Sequence, residues 1–122
     1  MSAIWSSDCS FTLWQYGIGH SRLILKASSN SSQSLGILFE GVDFVKLTRV
    51  FPRLSISRAD VAQEREMDDA GVRSVRPLLR LALRHDRGTG LVACSRLTVG
   101  TVTEIDGRTP FELHPIHLSI RA

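Results

Sequence analysis

Short apolar segments of β character, separated by turn-forming residues, make up most of this 122-residue chain. Residues 21–27 show the period of two expected of a β-strand, with Ser21, Leu23, Leu25 and Ala27 on one face and Arg22, Ile24 and Lys26 on the other. Similar segments are residues 11–16, 35–39, 42–47, 54–57 and 97–105. This succession predicts a mainly β fold, or an α+β fold with one short helix, arranged as an antiparallel sandwich or partly closed barrel of about eight short strands.

Turn-forming residues mark the expected ends of these strands. The serine-rich stretch 28–34 cannot contribute to a core and predicts a hairpin tip or solvated loop. Glu40 and Gly41 predict a tight connection between the strands at 35–39 and 42–47. Asp106 and Gly107 form a hairpin signal ahead of two further segments, 111–113 and 116–120, so the C-terminal part is expected to be sheet.

One segment, residues 60–71, reads as a helix. Asp60 is its expected N-cap, Gln63 stands at the capping-box position and Gly71 at the C-terminal stop. The apolar face is thin, with Val61, Ala62, Met67 and Ala70 as its members. We therefore expect a helix that lies on the surface or is partly disordered.

The arginine-rich segment 73–87 fits two structures. As a helix it would place the basic side chains in one stripe, composed of Arg73, Arg76, Arg80, Arg84 and Arg87. As a strand it would direct Leu79, Leu81 and Leu83 inward and Arg80, Ala82 and Arg84 outward, before a turn at residues 86–90. We favour the strand, because the glycine-rich turn leads directly into another β segment at residues 91–94.

Length and composition are those of a single globular domain spanning residues 1–122, with 43% hydrophobic and 22% charged residues. Neither a basic leader nor a run of about 18 apolar residues is present, so we expect a cytoplasmic protein that does not bind a membrane. The net charge of +3 comes mainly from arginines spread along the chain. That spread makes nucleic-acid binding an alternative function rather than the leading one.

The candidate catalytic and metal-binding residues do not form a coherent set. His114 and His117 are three apart, so on a strand they point to opposite faces, and no companion ligands are recognisable. Cys9 and His20 could form a thiolate pair, but no nucleophile elbow or oxyanion hole accompanies them. Two reduced thiols, Cys9 and Cys94, are expected, with a disulfide between them left open. We expect no metal and no cofactor.

The glycine-rich stretches 17–20 and 88–90 also lack the features of a phosphate-binding loop. The first has no third glycine and no following helix, and the second leads into a strand. Both are expected to be turns.

Aromatic residues on the first strand suggest a contact surface. Trp14 and Tyr16 share one face of the strand at 11–16, opposite Phe11 and Leu13. If that face is exposed, it would form an aromatic patch near Arg22, and aromatic residues and arginine dominate protein interfaces.

The first half of the chain resembles a family of small bacterial β-rich proteins of uncharacterised activity. The resemblance covers residues 11–47 and rests on three stretches: FTLWQY at 11–16, HSRLILK at 20–26 and LFEGV at 38–42. It implies strands in this half of the chain, and it implies no activity, cofactor or site residue.

These observations favour a non-enzymatic protein-interaction domain that uses an exposed sheet face or edge. The expected contact residues are Trp14, Tyr16, Arg22, Arg80 and Arg84, and the expected partner is another protein or a second copy of the chain. Nucleic-acid binding through an arginine-rich surface is the second hypothesis. A small hydrolase or metal-dependent enzyme, using Cys9 with His20 or the His114/His117 pair, is the third.

Overall fold

The computed structural model describes residues 3–17, 21–27, 33–72, 77–103 and 113–122. These residues form strands joined by short connections, together with one helix. In chain order the elements are β1 (Trp5–Ser6), β2 (Phe11–Gly17), β3 (Arg22–Ala27), β4 (Gln33–Glu40), β5 (Phe44–Lys46), β6 (Val50–Phe51), β7 (Ser55–Arg58), α1 (Val61–Asp69), β8 (Leu79–His85), β9 (Gly88–Cys94), β10 (Arg96–Thr103) and β11 (Leu113–Arg121).

The strands form two open antiparallel sheets. One sheet has five strands in the order β1-β7-β8-β9-β5, and the other has six in the order β11-β10-β4-β3-β2-β6. The mainly β, antiparallel prediction is confirmed, and of the two predicted arrangements the structure adopts the open one rather than a closed barrel. Segment 79–85 is strand β8, paired with β9 from Leu79–Cys94 to His85–Gly88, so the strand interpretation of this region is confirmed.

A continuous apolar core lies between the two sheets. Every second residue of β3 and β8 enters it, as the alternation in the sequence predicts. These residues are Leu23, Leu25, Ala27, Leu79, Leu81 and Leu83. Three phenylalanines, Phe11, Phe39 and Phe51, are the largest fully buried side chains of this core. Removing this apolar surface from water is the main driving force for the packing of one sheet on the other.

Helix α1 covers the outer face of the five-stranded sheet. Its capping box is confirmed: the Asp60 carboxylate accepts a hydrogen bond from the Gln63 backbone N–H at 2.8 Å, and the Gln63 side-chain oxygen accepts one from the Asp60 N–H at 2.8 Å. Met67 of this helix is buried in a second, smaller apolar cluster, where it packs with Ala82, Leu91 and other residues. A thin apolar face therefore suffices, because one methionine fills the contact.

Ion pairs with the sheet complete the attachment of α1. Arg80 of β8 contacts Asp68 at 2.7 Å, and Lys46 of β5 contacts Glu66 at 2.9 Å. Asp68 lies near the C-terminal end of the helix, where the helix dipole disfavours a negative charge. The Arg80 guanidinium supplies the compensating positive charge from the strand beneath.

The predicted tight connection at Glu40 and Gly41 is present, but it joins strands of different sheets. Strand β4 belongs to the six-stranded sheet and β5 to the five-stranded sheet, so residues 41–43 carry the chain from one sheet to the other. Gly41 has φ +62°, and a Cβ at this position would overlap the Ser95 side chain. Glycine is required at this crossing for both reasons.

The predicted loop 28–34 is wrong at its C-terminal end. Gln33 and Ser34 belong to β4, where Ser34 lies opposite Val102 of β10. A ladder is formed by backbone hydrogen bonds, so it does not require apolar side chains. The small side chain of Ser34 can therefore be buried within the sheet. Residues 28–32 lie outside the described part of the chain.

The C-terminal strand is longer than predicted. Residue 113 and the predicted segment 116–120 belong to one strand, β11. Its pairing with β10 has two register shifts, both between Val99 and Val102. Pro115 lies within it, which the ladder tolerates because β11 has a strand on one side only. The predicted turn at Asp106 and Gly107 falls outside the described residues.

Candidate interaction edge at strand β11

The edges of the two sheets differ greatly in length. Strands β1, β5 and β6 have two or three residues each, whereas β11 has nine. An edge strand has backbone N–H and C=O groups that no neighbour pairs, and short strands limit that liability. In the described part of the chain, β11 is therefore the one long template for an added strand.

The direction of the unpaired groups on β11 follows from its register. The Ala122 N–H donates to the Ser95 carbonyl at 3.0 Å, and the register continues through Arg96–Arg121, Leu97–Ile120, Thr98–Ser119 and Val99–Leu118. Hydrogen-bonded and non-bonded pairs alternate in an antiparallel ladder. The N–H and C=O groups of Ile120 and Leu118 accordingly face β10, and those of Arg121 and Ser119 face away from the sheet.

The side chains hold this edge in place without covering it. Leu118 and Ile120 pack against the core between the sheets, while Ser119 and Arg121 are exposed. Ile116 is 54% exposed, which is unusual for a large apolar residue here. Residues 116–121 thus form a fixed strand with an accessible backbone, which we call the β11 edge.

Pro115 and the two register shifts affect only the first part of β11. Proline removes a donor, and a bulge turns the strand away from a flat edge, so both limit pairing in that part. Pro115 is also the sequence signal that could have located the edge, because proline is confined to edge strands, strand starts and bulges.

Basic residues converge where the β11 edge ends. A cleft of about 510 Å³ is lined by Arg58, Glu64, Arg80 and Arg121, among others, and a second depression of about 330 Å³ beside it by Glu40, Arg96 and Arg121. Arg58 and Arg80 belong to the five-stranded sheet, and Arg121 belongs to the six-stranded sheet, so both sheets contribute arginines to this end of the molecule. Composition alone shows arginines scattered along the chain, and only the fold brings these together.

The structure separates the predicted contact residues. Arg22 lies on the outer face of the six-stranded sheet, where it faces Glu40 across strands with a 3.8 Å ion pair. Arg80 and Arg84 lie on the outer face of the five-stranded sheet, because their neighbours Leu79, Leu81 and Leu83 enter the core. A contact that used Arg22 together with Arg80 would thus need two separate surfaces.

Arg80 is largely covered by the helix. Its side chain is 14% exposed, and it donates to both the Asp68 carboxylate, at 2.7 Å, and the Glu64 carbonyl, at 3.2 Å. Arg84 lies four residues further along β8, on the same face, and is exposed. Trp14 and Tyr16 lie in β2, and their side chains are outside what the structure describes, so the aromatic patch stays a prediction.

Of the residues considered for catalysis, the structure describes Cys9, Cys94 and the side chain of His117. Cys9 is exposed and Cys94 is buried, and both are free thiols. Burial raises the pKa of the Cys94 thiol to about 12, which keeps it protonated at neutral pH. His20 and the His114 side chain are outside the described residues, and the His117 ring is hydrogen-bonded to the Thr101 hydroxyl at 3.1 Å.

His85 is half-buried, and its hydrogen bonding is incomplete. Its Nδ1 accepts a hydrogen bond from the Arg87 N–H at 3.2 Å, and its ring meets Phe51 edge-to-face with 5.2 Å between centroids. Among the described residues, its Nε2 is buried without a hydrogen-bond partner. Desolvation lowers the pKa of His85, which favours the neutral ring.

Residues 3–17, 21–27, 33–72, 77–103 and 113–122 contain no group of three or more His, Cys, Asp or Glu placed to hold a metal ion. Within the same ranges, no helix has the length and apolar character needed to cross a membrane.

Comparison with protein-family models, with curated proteins and with solved structures finds no significant match to this chain. In the part of the chain that the structure describes, two antiparallel sheets carry one covering helix and one long open edge. The function of the protein has to follow from that geometry.

Proposed function

We propose that this protein is an interaction domain that binds an extended segment of another protein along the β11 edge. The observation that carries the proposal is the outward direction of the Ser119 and Arg121 backbone groups on the one long edge strand of the described residues. In strand addition, main-chain hydrogen bonds supply affinity and alternate side chains supply specificity.

The open faces of the sheets are less suited to docking than the edge. Helix α1 occupies the outer face of the five-stranded sheet through Met67. On the outer face of the six-stranded sheet, Ile24, Leu38 and Val102 are already buried. The described side chains on these two faces are therefore largely covered, whereas the β11 edge offers unpaired backbone groups.

The charge at the end of the edge favours an acidic segment. Arg121 lies opposite Arg96 in the adjacent strand, and both line the depression beside the edge. The β11 strand of a second copy would bring no carboxylate to this place, because its sequence, LHPIHLSIR, contains no acidic residue. An extended acidic segment of a different protein would instead place carboxylates beside the two guanidinium groups.

The test measures binding of a labelled peptide of alternating valine and glutamate by fluorescence anisotropy. Ser119→Pro removes the outward N–H without removing a donor to β10, so affinity should fall about fivefold to tenfold. Ser119→Ala is the matched control, because both variants lose the hydroxyl that accepts from Arg96 and only Ser119→Pro loses the N–H. Ser119→Ala should therefore bind about fivefold to tenfold more tightly than Ser119→Pro. Amide exchange of Ser119 and Arg121 should become slower when the peptide is bound.

Three outcomes would overturn parts of this proposal. Equal binding by Ser119→Pro and wild type would exclude the β11 edge. Equal binding of a valine and lysine peptide would exclude the acidic preference. A dimer in sedimentation experiments that is lost in Ser119→Pro would keep strand addition at the edge and replace the partner by a second copy.

A further inference from the structure

A row of charged residues crosses four strands of the six-stranded sheet. Arg22, Glu40, Arg96 and Arg121 lie directly opposite one another in β3, β4, β10 and β11. Glu40 has Arg22 as its ion-pair partner at 3.8 Å. Arg96 and Arg121 are left as a like-charge pair, and they form a non-hydrogen-bonded pair, the kind in which side chains are closest.

These two arginines have no carboxylate partner in the described part of the chain, and neither has Arg58. No ion pair within 4.0 Å involves any of the three, whereas Arg80, in the same cleft, contacts Asp68 at 2.7 Å. The positive charge at this end is therefore only partly compensated within the protein.

The geometry of Arg96 leaves most of its donors free for a ligand. Its Nε donates to the Ser119 hydroxyl at 3.3 Å, which holds the side chain across the surface of β11. The two terminal nitrogens of a guanidinium anchored through Nε can still bind an oxyanion in the fork geometry typical of arginine.

The clefts provide room for such a ligand. The depression lined by Arg96 and Arg121 lies beside the larger cleft lined by Arg58, because Pro77, Arg121 and Ala122 line both. The larger cleft, at about 510 Å³, has the size of a small-molecule site. Three arginines from three strands of both sheets thus line the combined space of these two adjoining clefts.

We propose that this space, bordered by Arg58, Arg96 and Arg121, is a binding site for an oxyanion group, either a phosphate or a carboxylate. A bound oxyanion would supply the negative charge that the row of charges lacks between Arg96 and Arg121. The inference does not depend on strand addition at the β11 edge, because a free ion needs no backbone pairing.

The test is a titration followed by amide chemical shifts, with sodium phosphate, sodium acetate and sodium chloride compared at matched ionic strength. The amides of Ser95, Arg96 and Arg121 should shift and saturate with phosphate, acetate or both, and should not saturate with chloride. Saturation by phosphate alone indicates a phosphorylated ligand, and saturation by acetate as well indicates a carboxylate.

Variants with equal changes in net charge locate the site. Arg96→Gln/Arg121→Gln should weaken binding about tenfold or more, because two charge-assisted contacts are lost. Arg84→Gln/Arg87→Gln, at the opposite end of β8, should keep the affinity within about twofold of the wild type. Arg58→Gln lies outside the β10–β11 ladder and should weaken binding about threefold or more even if the first pair perturbs that ladder.

Two results would overturn the inference. Saturable shifts with chloride equal to those with phosphate and acetate would show only general counterion binding, and so would an equal loss in both double variants. Absence of saturation with all three salts would exclude the site. Peptide binding at the β11 edge is measured in a separate experiment. Failure of one proposal can therefore be told apart from failure of the other.

Discussion

Replacing Met67 by alanine should weaken the packing of α1 on the five-stranded sheet. Met67 is 0% exposed and is the buried residue of this helix, in one cluster with Ala82, Leu91 and Ala93. The substitution removes three side-chain heavy atoms, at about 0.8 kcal/mol for each methylene-sized group. A residual cavity would increase the loss, but a surface helix can settle inward and alanine favours helix. We therefore expect a loss of about 2–3 kcal/mol in the free energy of unfolding.

Urea and thermal unfolding measure this loss directly. For a chain of this length it corresponds to a decrease of roughly 8–12 °C in Tm. Val61→Ala is the matched control, because Val61 lies in the same helix and is 76% exposed, so its substitution should change stability by less than about 0.5 kcal/mol. A loss below about 1 kcal/mol for Met67→Ala, or equal losses for the two variants, would refute the packing of α1 through Met67.

Three further substitutions or treatments test other parts of the structure. Because desolvation lowers the pKa of His85, the unfolded chain binds more protons at mildly acidic pH, so the free energy of unfolding should fall as pH drops through about 6.5; urea midpoints should show a smaller fall in His85→Phe, and an equal fall would contradict this. An aromatic disulfide reagent at neutral pH should modify Cys9 in the native protein and Cys94 only after denaturation, since Cys94 is buried and its pKa is raised to about 12; modification of both in the native state would be the contrary result. Gly90→Ala should cost about 1–3 kcal/mol, because its Cβ would lie 2.9 Å from the Lys46 carbonyl oxygen, and unchanged thermal stability would show that this contact can relax.

Where one face of a strand is buried, the alternation of apolar residues predicts that strand from the sequence alone. In β3 and β8 every second side chain enters the core, and the capping box of α1 involves residues only three apart. Such features depend on local spacing, which the sequence shows directly. For the same reason the mainly β class and the single helix were predictable.

Which strands pair with one another could not be predicted from the sequence in this way. Strands β4 and β5 are adjacent in sequence, and Gly41 between them fits a tight hairpin as well as a crossing between sheets. The difference depends on Ser95, which is distant in sequence and packs against the crossing. Local turn propensity does not contain that information.

The candidate sites show the same division. The sequence by itself determined that the chain forms antiparallel strands with one capped helix, because period-two alternation and capping are short-range properties. Only the tertiary structure decided that β11 is a long edge, that Arg80 lies beneath α1, and that Arg58, Arg96 and Arg121 line two adjoining clefts. These are relations between residues far apart in the chain, and long-range packing of the two sheets creates them.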